Sequence, residues 1–147
     1  MRMLLLPPIV FFASALSMLA LDRIAPLIRV ESPWTWLGMA PLVVGLAMAN
    51  WHARLFRRVG TNIDTFGEPD RLVQDGLFLY TRNPMYLGFV ISLTGLAFIL
   101  GSISPWALVV GFILAAHCWY VPVEERAMAA KFGADYEKYR RRTPRWF

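Results

Sequence analysis

The sequence contains very few residues that could form a metal centre or a disulfide bond. It has one cysteine, Cys118, and two histidines, His52 and His117, among 147 residues. A single cysteine excludes an internal disulfide and a cysteine-based zinc site, and two histidines are too few for a di-metal cluster. We therefore expect no metal, and we interpret both histidines as hydrogen-bonded helix residues.

Charge is also scarce and unevenly placed. Only 17% of the residues are charged, whereas 57% are apolar even before glycine is counted, which exceeds the roughly 45–50% of soluble domains. A soluble fold of this size could not bury so much apolar surface, so we expect lipid to solvate most of it. The net charge of +5 does not indicate nucleic-acid binding, because the basic residues flank apolar stretches and do not form a basic face of their own.

Uncharged stretches long enough to cross a bilayer occur four times. Two of them are residues 3–21 and 34–52, and the uncharged residues 85–122 contain two more on either side of a turn-rich segment at 101–105. Nineteen residues of helix reach roughly 28 Å, close to the ~30 Å hydrocarbon thickness. A cleaved signal peptide is the alternative for the first stretch, although that stretch stays apolar beyond the cleavage-like Ala13-Ser14-Ala15.

The sequence thus predicts an all-α integral membrane bundle of about four transmembrane helices, followed by a short cytoplasmic C-terminal helical segment. The spans are 3–21, 34–52, 85–101 and 105–122, within a single domain over 1–147. Thirteen of the fifteen Lys and Arg residues then lie on one side, and Arg23 and Arg29 lie on the other. The positive-inside rule places that basic side, with both termini, in the cytoplasm.

The first candidate site cluster lies where the third span begins. Asn83 is a good helix N-cap and Pro84 a good first helical residue, so free backbone N–H groups and the positive helix end are available for a carboxylate. Arg82 stands beside them, and Gly88 leaves room one turn inside. The alternative is that Asn83 and Pro84 only start the helix and Gly88 only packs against another helix.

The other two clusters follow the fourth span. Glu124 and Glu125 are costly to desolvate unless they are paired, so acids at this depth are functional candidates. The alternative is that both are solvated and neutralised by Arg126 or Lys131. The basic stretch after residue 132 can bind anionic lipid headgroups, and Tyr136 and Tyr139 within it could cover a cofactor.

These clusters, taken in order, resemble the isoprenylcysteine carboxyl methyltransferase family, and more loosely the phospholipid N-methyltransferases. The resemblance covers roughly Asp64 to Arg145. It is carried by Arg-x-Pro-x-Tyr-x-Gly at 82–88, the hairpin of spans, Glu124-Glu125, Phe-Gly-x-x-Tyr-x-x-Tyr at 132–139, and Pro144-Arg145.

In that family, a small helical membrane bundle holds S-adenosylmethionine between an Arg-His-Pro segment and the paired glutamates. The resemblance therefore implies a methyltransferase that uses this cofactor, with a cytoplasmic cofactor region at 64–88 and 122–147. The implied cofactor-binding residues are Asn83, Pro84, Tyr86, Gly88, Glu124, Glu125, Tyr136 and Tyr139, and the implied catalytic residues are Arg82, Tyr86 and Glu125. Asn83 replaces the usual histidine, and its amide can hydrogen-bond a carboxylate but cannot titrate near neutral pH.

The expected acceptor is lipidic, first of all the carboxylate of an isoprenylcysteine-like substrate. Such a carboxylate is already ionised and Arg82 could orient it, whereas an amine or thiol would need a base, for which Glu125 is the candidate. Expected partners are the lipidic substrate and membrane lipids, without nucleic acid, and the sequence does not predict an oligomeric state. Two alternatives are an NADPH-dependent membrane reductase of the sterol-reductase type, which has a similar Arg-x-Pro-x-Tyr-x-Gly element, and a non-enzymatic lipid-binding subunit.

Overall fold

The computed structural model describes residues 6–30, 33–60 and 71–147. Regular structure in these residues is helical, apart from one isolated bridge between Arg29 and Ser102, which confirms the predicted all-α class. The α-helices are α1 (Pro7–Ile24), α2 (Met39–Val59), α3 (Pro84–Leu100), α4 (Trp106–Ala115) and α5 (Val121–Arg142). Short 3-10 helices at Trp34–Gly38 and Gly76–Leu79 precede α2 and α3, and a π-helical turn, Ala116–Tyr120, joins α4 to α5.

Two helical segments continue well beyond the ends of the spans predicted for them. Helix α2 continues through Val59, well past His52, because arginine favours a helix and the beginning of a charged segment does not end one. It ends at Gly60, whose φ of 63° lies in the left-handed region. After α4 the chain stays helical past residue 122, where the predicted fourth span ends, and continues to Arg142 with a kink at Gly133 (φ 48°, ψ −119°).

Within residues 6–30, 33–60 and 71–147, two helical segments are long and apolar enough to cross a membrane. They are Pro7–Ile24 and the continuous segment Trp106–Arg142, while the apolar α3 is slightly shorter. Only 22% and 28% of the most apolar stretches of these two segments are buried. Outward-facing apolar surface of this extent is rare on soluble proteins, and contact with lipid accounts for it.

Helix α3 is the centre of the bundle and packs against α1, α2 and α4. Its buried side chains form the main core with residues of α1, α4, the π-helical turn and the first residue of α5. In chain order, this core consists of Phe11, Met18, Met85, Tyr86, Phe89, Leu93, Ala97, Val109, Phe112, Ala116, Tyr120 and Val121.

Glycines at the interface between α2 and α3 let the two helix backbones approach each other closely. A Cβ on Gly45 would lie 2.4 Å from the Gly88 carbonyl oxygen, and one on Gly95 would lie 2.4 Å from the Leu42 nitrogen.

A polar contact closes the end of the bundle at which α3 finishes. Asp22, only 5% exposed, accepts a 2.6 Å hydrogen bond from the Ser102 hydroxyl and pairs with Arg29 at 3.3 Å. Gly101, with φ 74°, ends α3 and lets the chain turn here. The carboxylate therefore fixes the end of α1 to the turn between α3 and α4.

A second, smaller core lies at the end where α3 begins. Val73 and Phe78 pack there against Tyr136 and Tyr139 of α5, with Leu55, Phe56, Leu72, Met128, Ala129 and Phe132 around them. This core holds residues 71–83 against the part of α5 that follows the kink. Residues 64–70 of the predicted cofactor region lie outside the described residues.

Replacing Gly45 by alanine should destabilise the protein, whereas replacing Gly111 should not. Both changes raise helix propensity, but a Cβ at Gly45 would collide with α3, while a Cβ at Gly111 meets no atom within 4 Å among the described residues. Overpacking of this kind costs about 1–3 kcal/mol. Thermal unfolding in detergent should show a lower midpoint for Gly45→Ala and an unchanged or higher midpoint for Gly111→Ala. Equal midpoints would contradict the close α2–α3 contact.

Candidate active site

The start of α3 and the start of α5 lie next to each other, which brings the first two predicted clusters together. Arg82 donates a 2.8 Å hydrogen bond from Nη2 to Oε1 of Glu125. The side chains of this pair are only 10% and 13% exposed. Because removing either charge would leave its partner largely buried, this ion pair is a strong constraint on the geometry of the site.

Arg145 is a second cation on the same carboxylate, whereas the sequence predicts only that the basic stretch containing it contacts lipid headgroups. Its Nη2 lies 2.5 Å from Oε2 of Glu125 and its Nε donates to Oε1 at 3.2 Å. Both Glu125 oxygens thus accept hydrogen bonds from guanidinium groups. The Pro144-Arg145 element of the resemblance was the signal that could have pointed to Arg145. Its pairing with Glu125, 20 residues earlier, cannot be predicted from spacing, because α5 is kinked and ends before Arg145.

Arg82 is held from two sides. Its Nη1 donates to the Arg140 carbonyl oxygen at 3.0 Å, and its Nε is buried without a hydrogen-bond partner among the described residues. A buried guanidinium nitrogen without a partner is costly. Among the donors of Arg82, this N–H is therefore the one that would gain most from an acceptor brought into the site.

The other acid, Glu124, pairs with the predicted residue Tyr86. The Tyr86 hydroxyl donates to Oε1 of Glu124 at 2.7 Å, and the tyrosine is only 1% exposed. The Tyr120 ring lies nearly parallel to the Tyr86 ring, with 5.9 Å between centroids. The adjacent acids therefore contact different residues near the start of α3: Glu124 accepts from the Tyr86 hydroxyl, and Glu125 accepts from the Arg82 guanidinium.

Asn83 occupies the N-cap position of α3, but its side chain makes no cap hydrogen bond. Its side-chain amide nitrogen instead donates to the Arg145 carbonyl oxygen at 2.9 Å. The Thr81 hydroxyl donates to the same oxygen at 3.0 Å, a contact that the sequence does not predict. The predicted N-cap position of Asn83 is therefore confirmed, but its side chain is held by segment 143–147 and does not cap the helix. Pro84 is the first residue of α3, as predicted.

Gly88 faces α2 rather than open space. A Cβ at this position would lie 2.8 Å from the Gly45 carbonyl oxygen and 3.0 Å from the Ala49 nitrogen. Helix packing, the alternative considered for this residue, accounts for its place in the structure. Cofactor binding by Gly88 stays a prediction.

The two tyrosines of α5 are buried, and both remain protonated at neutral pH. Burial, with a contribution from the nearby Glu125 carboxylate, raises the pKa of Tyr136 to about 12, and burial also raises the pKa of Tyr139. The Tyr139 hydroxyl donates to the Phe78 carbonyl oxygen at 2.8 Å, which anchors the small core. Tyr136 lies closer to the acids, and cofactor contacts of either ring stay predictions.

The described residues contain no group of three or more His, Cys, Asp or Glu side chains placed to hold a metal ion. The charged and polar groups that surround the site are instead two carboxylates, two guanidinium groups and the buried phenol of Tyr86. Such a set can bind a zwitterionic ligand, because carboxylates accept from amino or hydroxyl groups and guanidinium groups donate to carboxylates.

Comparison with known proteins gives two curated relatives. The protein-S-isoprenylcysteine O-methyltransferase of Schizosaccharomyces pombe is 33% identical over 73 residues, which are 50% of this chain but only 31% of that protein. An uncharacterized protein of Haemophilus influenzae is 32% identical over 62 residues, 42% of this chain and 98% of that protein. No solved structure matches the chain.

A family model described as phospholipid methyltransferase matches residues 33–135. The match includes α2, α3, α4 and most of α5, with Arg82, Tyr86 and both acids of the site. Because it covers well over half of the sequence, the chain belongs to the phospholipid methyltransferase family.

Proposed function

We propose that this protein transfers a methyl group from S-adenosylmethionine to a lipidic acceptor, with its active site between the starts of α3 and α5. The pairing of Arg82 with Glu125 is the observation that carries this proposal, since it joins the two clusters from which the reaction pocket would be built. Membership of the phospholipid methyltransferase family supports methyl transfer.

The residues around the site fit this cofactor. Arg82 has a buried Nε without a partner among the described residues, which suits a carboxylate such as that of the methionine moiety. Glu124 and Glu125 suit its amino group or ribose hydroxyls. When bound, S-adenosylmethionine supplies an electrophilic methyl group on a positively charged sulfur.

The aromatic side chains have a second role in the proposal. The faces of Tyr86 and Tyr120 can stabilise a neighbouring cation by cation–π contact, and their burial excludes water from the reacting groups. Catalysis of methyl transfer then rests on positioning and desolvation, and not on acid–base chemistry.

The proposed acceptor is first of all a carboxylate on a lipid, such as that of an isoprenylcysteine-like group. An ionised carboxylate needs no base, and both oxygens of Glu125 already accept from guanidinium groups. That arrangement favours binding and orientation over proton abstraction. A lipid amine, the other acceptor class that the family description suggests, would require a base, whereas in this proposal Glu125 is a contact of the cofactor.

We further propose four membrane crossings with the site on the cytoplasmic side. Helices α2 and α3 complete the hairpin bundle with the two segments that are apolar enough to span on their own. The charge distribution supports this orientation, since seven basic residues lie between Arg126 and Arg145 next to the site.

Ligand binding distinguishes this proposal from the reductase alternative. The detergent-purified protein should be stabilised by S-adenosylhomocysteine and not by NADPH, because a ligand that binds only the folded state raises its stability by mass action. A ligand at one hundred times its Kd should contribute about 2.7 kcal/mol, which thermal unfolding detects readily. Stabilisation by NADPH alone would favour the reductase, and stabilisation by neither ligand would favour the lipid-binding subunit.

Substitution of Glu125 should weaken cofactor binding. Glu125→Gln removes a charge-assisted contact of about 1.5–3 kcal/mol, so affinity for S-adenosylhomocysteine should fall about ten- to hundredfold by calorimetry. Glu137→Gln is the matched control, since Glu137 is a half-exposed acid on the same helix, 3.5 Å from Arg140. Arg82→Lys, which keeps the charge but loses the guanidinium geometry, should also bind S-adenosylhomocysteine more weakly than the wild type. Unaltered affinity in both site variants, with unfolding midpoints like the wild type, would remove the pair from the site.

Cysteine labelling tests the orientation. In a Cys118→Ala background, Ile103→Cys places a thiol in the exposed turn between α3 and α4, and Arg141→Cys places one on exposed α5. In sealed vesicles with the cytoplasmic face inside, a membrane-impermeant maleimide should label the first thiol and spare the second. Labelling of both thiols, or of the second alone, would contradict the proposed topology.

A further inference from the structure

Segment 143–147 crosses the start of α3 and forms hydrogen bonds with residues 81–83 and with Glu125. The Arg82 amide donates to the Pro144 carbonyl oxygen at 3.0 Å. The Arg145 carbonyl oxygen accepts from Thr81 and Asn83, and the Arg145 side chain binds Glu125. This segment, which we term the strap, therefore lies directly on the residues proposed to bind the cofactor.

One further hydrogen bond holds the strap to the π-helical turn. The indole Nε1 of Trp146 donates to Nδ1 of His117 at 3.1 Å, and the two rings lie nearly parallel, with 6.2 Å between centroids. An indole N–H can only donate, so His117 must present an unprotonated Nδ1 to accept it. We term this contact the latch.

Arg145 and a cofactor would compete for the same carboxylate. Oε2 of Glu125 lies 2.5 Å from Arg145, and Oε1 is shared between Arg82 and Arg145. These three hydrogen bonds fill three of the roughly four acceptor positions of the carboxylate, so a ligand amino or hydroxyl group gains access to the others only when one guanidinium moves away. Arg145 is the group free to move, because its side chain is 31% exposed whereas that of Arg82 is 10% exposed.

The charges at the site point to the same exchange. Glu124 and Glu125 balance Arg82 and Arg145, so the four side chains together are neutral. With Arg145 displaced, the remaining three carry one net negative charge. S-adenosylmethionine has a sulfonium, an ammonium and a carboxylate, hence one net positive charge, which complements the open site and not the closed one.

We propose that the strap gates the cofactor site: Arg145 occupies Glu125 while the Trp146–His117 latch is closed, and cofactor binding requires the strap to leave. This inference rests on the proposed function, since it takes Glu125 to be a cofactor contact. The apparent affinity for cofactor is then reduced by the fraction of molecules in which the strap is closed.

Hydrogen exchange of the Arg82 amide reports directly on the strap, because this amide donates to Pro144. Trp146→Phe keeps an aromatic ring but removes the indole N–H, so without any ligand the Arg82 amide should exchange at least threefold faster than in the wild type. Phe147→Ser is the control, since Phe147 is 91% exposed, and it should leave the exchange rate unchanged. Wild-type exchange in Trp146→Phe would overturn the latch.

Binding of S-adenosylmethionine, measured by calorimetry without acceptor lipid, tests the gate. Arg145→Gln and Trp146→Phe should bind threefold to tenfold more tightly than the wild type, whereas Arg141→Gln, which removes an exposed arginine near the end of α5, should not. Saturating ligand should speed Arg82 amide exchange in the wild type. Weaker binding by Arg145→Gln, or slower exchange with ligand, would overturn the gate while leaving the proposed function intact. No binding by any variant would overturn the proposed function and the gate together, and the unliganded exchange of Trp146→Phe would still decide the latch.

Discussion

The contact of Arg82 with Glu125 determines how the start of α3 meets the start of α5. A largely buried ion pair costs desolvation energy on both sides, and this is offset only when the geometry is good and further hydrogen bonds are formed. Arg82 meets that condition through the Arg140 carbonyl, and Glu125 meets it through Arg145. As a result, the start of α3 and the start of α5 are fixed relative to each other, and segment 143–147 lies across them while Arg145 stays on Glu125.

The helices beneath this contact are held by a different kind of complementarity. Hydrophobic burial gives little preference for one partner helix over another in a lipid environment, so close backbone approach becomes the main source of specificity. Gly45 and Gly88 provide it between α2 and α3, where a side chain would meet a backbone oxygen. At the other end of the bundle, Asp22 and Ser102 form a polar contact that a lipid environment would strengthen.

The sequence was informative about helices and much less so about contacts. Uncharged runs and Pro84 at a helix start predicted most of the helical segments because these signals act within a few residues. The same local rules failed at His52, where charge begins but the helix continues. They placed Asn83 correctly at the start of α3 but could not predict that its side chain binds a carbonyl oxygen more than 60 residues away. Arg145 was part of the recognised pattern, yet its position on Glu125 depends on the kink at Gly133, which spacing along a straight helix cannot represent.

The π-helical turn at Ala116–Tyr120 has a consequence for how this protein tolerates change in length. A π turn holds one residue more than the α-helical turn that it replaces, and each residue added to an α-helix rotates the rest of the helix by about 100° around its axis. Loss of one residue between 116 and 120 would relax this turn into ordinary α-helix and leave Glu124 and Glu125 facing α3, whereas a residue gained there, or lost from the α-helical turns on either side, would swing them away. Changes of length around this short stretch are therefore constrained by angle rather than by volume, although most of its side chains are exposed.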